Sequence, residues 1–290
     1  MFAATLVAIL FSATQPSLAS TTEHAPLAAP DAVISTESTA HDISIATVKP
    51  GTEGLELSAK FTEQSQETVT DVAWTISSET GEKVFDGITS VADATLPPGD
   101  YRVRVRYGTA QILQGVTVHE GTKLSVSFIL NAGGLRILPR VKNLGAQNIP
   151  SVSKIFALSG PMRGQLVATS HTPGEVLKVN AGQYRIESHF ENGNAVAVTD
   201  VDVKSGIMSA VNIDHKAGLL NLSAPAANNA EVQWIIVDEN GAVLPAVSGA
   251  LATVILKPGH YKASIKTSGT SPASVFDISA GQIVNIDIAQ

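Results

Sequence analysis

The chain has 290 residues, 44% of them hydrophobic and 16% charged, enough apolar material for two or three small domains that each bury a core. It has no cysteine, which excludes disulfides, thiolate metal sites, a cysteine nucleophile and lipid attachment through an N-terminal cysteine. The net charge of -7 argues against a nucleic-acid partner, since duplex binders carry a basic footprint.

Residues 2–11 form an apolar run too short to cross a bilayer as a helix. Small residues follow at Ser17 and Ala19, where a signal peptidase reads them, although no Lys or Arg precedes the run. This predicts a signal peptide over 1–19, a periplasmic or secreted protein, and no transmembrane span in the mature chain. The plainer alternative is a buried N-terminal strand. Residues 20–50 are rich in Thr, Ser, Ala and Pro and hold four acids against Lys49. They are expected to form a flexible leader.

From Gly51 onward the chain repeats itself. A Gly-Leu strand opens each unit at Gly54-Leu55, Gly134-Leu135 and Gly218-Leu219. An aromatic-centred strand follows at Trp74, Phe156 and Trp234. Next comes a Gly-x-Tyr strand at Gly99, Gly182 and Gly259, which lie 25, 26 and 25 residues beyond those aromatics. A second glycine turn at Gly121, Gly206 and Gly281 introduces a last alternating strand. Short strands between frequent turn signals, with no helical period, predict an all-β chain of three tandem Ig-like or prealbumin-like antiparallel β-sandwich domains. Their boundaries are expected at 51–133, 134–217 and 218–290, with short joins that make a stiff array.

The Gly-x-Tyr strand is the most informative stretch. In Leu96-Pro97-Pro98-Gly99-Asp100-Tyr101 the Pro-Gly pair predicts a tight turn with a left-handed glycine, shared by Gly182 and Gly259. Beyond it, Tyr101, Val103 and Val105 alternate with Arg102, Arg104 and Arg106. Arg185 repeats the first arginine position, and Lys262 and Lys266 repeat the first and third. These six are the candidate anion-contact residues, for an envelope polysaccharide, a lipid head group or a protein partner. The bland alternative is a solvated strand face neutralised by Glu120 or by acids on a neighbouring strand. Trp74 and Trp234 are expected to fill the space between sheets. Tyr101, Tyr184 and Tyr261 should bury their rings and return the hydroxyl to the backbone.

The stretch Leu96–Leu130 resembles carboxypeptidase regulatory-like (transthyretin-like) domains and collagen-adhesin B-type domains. The triple array is similar to β-sandwich repeats of Gram-negative envelope proteins. The resemblance implies spacer, adhesive or binding modules of the cell envelope. It also implies a place for a Lys-Asn cross-link, loosely matched by Lys60 and Asn131, with an acid as catalyst.

The seven histidines show no close metal-ligand spacing and read as scattered surface residues. No nucleophile elbow or phosphate loop occurs. Asp238-Glu239-Asn240-Gly241 reads as a turn, and Asp200 and Asp202 as the solvent side of a strand. Charge is uneven: 51–133 hold 6 basic and 11 acidic residues, 134–217 hold 9 and 6, and 218–290 hold 3 and 5. The expectation is therefore a non-enzymatic envelope module without cofactor or metal. The alternative is a secreted hydrolase whose site assembles between domains from scattered Asp, Glu and His.

Overall fold

The computed structural model describes residues 42–144, 149–224, 232–266 and 273–288. The expected signal peptide and most of the expected leader lie outside them. Every regular element is a strand, and the strands build three successive β-sandwiches.

The first contains β1 (Asp42–Thr47), β2 (Gly54–Lys60), β3 (Val72–Ser78), β4 (Lys83–Thr89), β5 (Val91–Thr95), β6 (Gly99–Tyr107), β7 (Ala110–Val118) and β8 (Thr122–Ile129). Its sheets are β1-β8-β2-β5 and β4-β3-β6-β7. The second contains β9 (Ala132–Val141), β10 (Ser151–Ala157), β11 (Leu166–Ser170), β12 (Val176–Asn180), β13 (Gly182–Phe190), β14 (Val196–Val203) and β15 (Met208–His215). The third contains β16 (Gly218–Ser223), β17 (Gln233–Asp238), β18 (Val247–Ser248), β19 (Leu251–Leu256), β20 (Gly259–Ile265), β21 (Ala273–Ile278) and β22 (Ile283–Asp287). Both repeat the first topology, as β12-β9-β15 with β11-β10-β13-β14, and β19-β16-β22 with β18-β17-β20-β21. Pairing is antiparallel throughout, except that the opening and closing strands of each unit run parallel, β2 with β8, β9 with β15 and β16 with β22.

The leader expected over 20–50 therefore ends in a strand. Ile43-Ser44-Ile45 carries enough alternation for β1 to extend the edge at β8.

Two-residue alternation places the cores. Leu55, Leu57, Trp74, Ile76, Val103 and Val105 are fully buried in the first sandwich. Leu220, Leu222, Trp234, Ile236 and Ala263 do the same in the third. Both indoles point between the sheets and donate from Nε1 to a backbone carbonyl, Trp74 to Thr89 at 2.9 Å and Trp234 to Gly249 at 2.8 Å. Three tyrosine corners form as expected. Tyr101, Tyr184 and Tyr261 donate to the carbonyls of Pro97, Asn180 and Lys257 at 2.8, 2.7 and 3.0 Å.

The expected positive φ is found at two of the three Gly-x-Tyr glycines: Gly99 and Gly182 open their strands at 158° and 154°, where a side chain would be strained, while Gly259 opens β20 without it. Contrary to expectation, Phe156 is not the counterpart of the tryptophans. Trp74 pairs with the residue four beyond Tyr101, and Trp234 with the residue four beyond Tyr261. In the second sandwich that register falls on Ser153, opposite Ser188, while Phe156 sits half-buried on the other face.

Hairpin tips join the units. The β6–β7 turn docks on β12, with Thr109 N donating to the Lys178 carbonyl at 3.0 Å. The turn between β13 and β14 docks on β19, with Asn194 N donating to the Ile255 carbonyl at 3.1 Å. Gly108 and Gly193 make these approaches feasible, because a Cβ at either would collide with the partner's carbonyl. Asn194 also reaches Tyr261 Oη at 3.0 Å, linking the second sandwich to the corner of the third.

Candidate functional site

The outer face of β4-β3-β6-β7 is built by its interior. Val103 and Val105 are held between the sheets, and the Tyr101 hydroxyl ties the start of β6 to Pro97. Arg102, Arg104 and Arg106 must then project outward, about 7 Å apart along the strand. All three are exposed. Their neighbours are small or uncharged: Ser77 and Gly115 flank Arg102, Thr75 and Leu113 flank Arg104, and Ala73 and Gln111 flank Arg106. Among the described residues none of the three guanidinium groups has an ion pair or a side-chain hydrogen bond.

Two carboxylates share the face: Asp100, two residues before Arg102 on β6, accepts from Thr117 Oγ1 at 2.6 Å, and Asp86 stands on β4 opposite Thr75. Asp86 accepts from Lys83 Nζ at 2.8 Å and from Thr75 Oγ1 at 3.0 Å. Lys83 first and Thr75 second hold its carboxyl below the usual range, with a smaller contribution from the positive charge of Arg106. A shallow hollow of about 420 Å³ lies between Lys83, Asp86, exposed Ile88, Arg104 and Arg106. Donors, a positive field and a little apolar floor suit an anion held at the surface.

The other candidate residues do not join this row. Arg185 is clamped by Asp200 through two bonds, Nε to Oδ1 and Nη2 to Oδ2, each 2.9 Å. The pair raises the arginine and lowers the aspartate, as opposite charges in hydrogen-bonded contact do. The next position on that face is Glu187, opposite Lys154. Here the neutralised reading holds, supplied by a neighbouring strand rather than by Glu120. Lys262 lies between Val237 and Val275, and Lys266 follows the end of β20, so the third sandwich offers two separated cations. The six candidates thus fall on three separate sheets, and only the first sandwich gathers a set.

Other residues went unread in the sequence. His215 is not a surface histidine. It is fully buried, with Nε2 3.2 Å from Ser188 Oγ, Nδ1 without a partner, and its ring 4.6 Å from that of Phe190. Burial pushes its imidazole down to about 4. Glu53 is also buried, and its carboxylate accepts from Gly51 N at 2.7 Å and Gly121 N at 3.0 Å. Those backbone donors, Gly121 foremost, hold its carboxyl below the usual range. In the later sandwiches the matching turn amides, Gly206 and Gly281, donate instead to the carbonyls of Ala132 and Ala217. Glu53 thus caps the first sandwich where a join serves the other two. Strand register places Glu53 where Gly133 and Gly218 stand, one residue out of step with the Gly-Leu alignment in the third unit, so the motif alone could not show it.

Lys60 and Asn131 gain no support as a cross-link. Glu53, the only buried carboxylate among the described residues, lies at the opposite end of β2. Asp238 heads a turn, accepting from Asn240 N and Ala242 N at 3.0 and 2.9 Å. Among the described residues no group of three or more His, Asp or Glu is placed to hold a metal ion. No helix among them is long and apolar enough to cross a membrane.

Residues 60–130 and 223–290, in the first and third sandwiches, match the model of the Rhizobiales growth-associated tandem repeat domain. No curated protein matches the chain. Among solved structures, the Bacillus anthracis TIE protein is similar over 81% of this chain and 50% of its own, at 18% identity and a TM-score of 0.27. This chain thus spans half the length of that protein. A streptococcal ancillary pilin is similar over 85% of this chain and 99% of its own, at 11% identity and a TM-score of 0.27. The minor pilin of Streptococcus agalactiae is similar over 54% and 94%, at 12% identity and a TM-score of 0.25.

Proposed function

We propose that this chain is an exported, non-enzymatic protein of a Gram-negative cell envelope, which holds an acidic envelope polysaccharide on the outer face of its first sandwich. The observation that carries the reading is the row Arg102, Arg104 and Arg106, exposed and with no ion pair or side-chain hydrogen bond among the described residues. Arginine forks suit carboxylates, and a row on one strand can grip successive charges along a chain. The matching Arg185 is spent on Asp200, which confines the site to one domain. The other two sandwiches act as a spacer, and their docked hairpin tips keep the array from hinging freely. The apolar run and small residues of 1–19 support export. The matching domain, described as growth-associated in the Rhizobiales, points to growth in an order of Gram-negative bacteria.

The test replaces Arg102, Arg104 and Arg106 together with Gln. On a column of immobilised polygalacturonate at low salt, the parent should be retained and elute as salt screens the contact. The triple variant should pass through with an unchanged melting curve. Equal retention of a folded triple variant would remove the reading.

A further inference from the structure

Strand β1 stands outside the threefold pattern. Each sandwich has seven strands of its own, and β1 is an eighth, added antiparallel to the edge of β8. All six of its residues are exposed, Ile43 at 55% and Ile45 at 65%. One of its edges is taken by β8, and the other carries no strand among the described residues. Soluble proteins usually blunt such an edge with lysine, proline or a bulge. The stretch Asp42-Ile43-Ser44-Ile45-Ala46-Thr47 has no lysine or proline, and its pairing runs unbroken from Asp42↔Ser127 to Thr47↔Thr122.

We propose that β1 is a self-association edge: two copies of the chain pair antiparallel through β1, about a two-fold axis at Ser44. Side chains select the register. Ile43 and Ile45 lie opposite Val126 and Leu124, so they share the face those core residues turn inward. With Ser44 opposite Ser44 of the second copy, each Ile43 meets the other copy's Ile45, and Asp42 meets Ala46. Four isoleucines then shield one another, and no like charges are opposed. Moving the axis to Ile45 would set Ile43 against Thr47 and lose both mixed isoleucine pairs.

A two-fold axis perpendicular to the sheet keeps the inward faces of both copies on one side. The arginine face lies on the far side of the first sandwich in that same direction, so the pair presents two arginine rows together. Two rows would hold one polymer more firmly than either alone. That bivalence rests on the polysaccharide reading above; the pairing does not. A six-residue edge buries far less than the roughly 1,000 Å² of a stable interface, so the dimer is weak and concentration-dependent.

The absence of native cysteine makes the register directly testable. Cβ atoms of directly opposed residues in an antiparallel pair lie about 4.5–5.5 Å apart, close to the reach of a disulfide. Ser44→Cys, without any anionic ligand present, should convert to a disulfide-linked dimer under mild oxidation. Asp42→Cys and Ala46→Cys should each stay monomeric alone and cross-link when mixed. Adding Ile43→Lys and Ile45→Lys to Ser44→Cys should lower the dimer yield at least tenfold with unchanged circular dichroism, since both residues are exposed. A Ser44→Cys protein that stays monomeric overturns the proposal. So does self-cross-linking of Asp42→Cys or Ala46→Cys as fast as Ser44→Cys, which would reveal unspecific collision. If the dimer forms but the polygalacturonate column retains nothing, the pairing stands and only the bivalence falls.

Discussion

The first and second sandwiches share a topology and a tyrosine corner, yet differ in what fills them and in what they show to solvent. Equivalent positions are fixed by register. Val72, Trp74, Val105 and Leu130 in the first become Ser151, Ser153, Ser188 and His215 in the second, and all eight are buried. On the outer face, an arginine row without ion pairs becomes the Arg185–Asp200 clamp. The backbone ladder and the corner therefore suffice to set the topology, while the fill of one end is free to vary. The third sandwich sides with the first, with Val232, Trp234 and Ile265 at the matching places. The two stretches that match the repeat-domain model lie in the first and third sandwiches, the two with tryptophan cores.

The comparison breaks most visibly if the second sandwich's residue is placed in the first. Trp74→Ser removes a fully buried indole and its bond to Thr89. It should cost about 3–5 kcal/mol, read from denaturant unfolding of the first sandwich. A cost near zero would mean that the indole is not what supports that end.

The next contrast is titratable. The His215 imidazole has its proton affinity lowered from 6.5 to about 4 by burial, with the Ala195 backbone and Asp214 opposing the shift and His189 adding to it. Below pH 6.5 the unfolded chain binds this proton and the folded chain resists it. Stability is therefore full above pH 6.5 and falls as pH drops toward 4, by up to about 3 kcal/mol. His215→Leu, which imports the residue of the first sandwich, should flatten that segment of the pH–stability curve. An equally steep curve in the variant would assign the acid sensitivity elsewhere.

The shared element should respond equally. Tyr101→Phe and Tyr184→Phe each remove a corner hydrogen bond and should cost about 1 kcal/mol by thermal melting. Tyr261→Phe should cost more, because its hydroxyl also receives Asn194. Unequal costs at Tyr101 and Tyr184 would show that the common frame is not equally important in both units.

The smallest effect on stability sharpens the surface contrast. Asp200→Asn should leave the melting curve unmoved, since exposed ion pairs contribute little. It frees Arg185, so retention on the polygalacturonate column should rise. Unchanged retention would show that a lone guanidinium does not substitute for a row.

The sequence by itself determined the strands, their inward and outward faces, the threefold repeat and the tyrosine corners. These follow from local rules: side chains alternate along a strand, and an indole or phenol after a turn must bury its ring. Thus Arg102, Arg104 and Arg106 could be placed on one outer face before any tertiary contact was known. Tertiary structure decided what lies beside each residue. Whether Arg185 meets Asp200, whether Ser153 or Phe156 takes the tryptophan's place, whether His215 is buried, and whether Ile43-Ser44-Ile45 finds an edge all depend on cross-strand register. Shifting a pairing by one residue exchanges every face, and register is settled by contacts between segments up to 85 residues apart, such as Asp42 with Ser127.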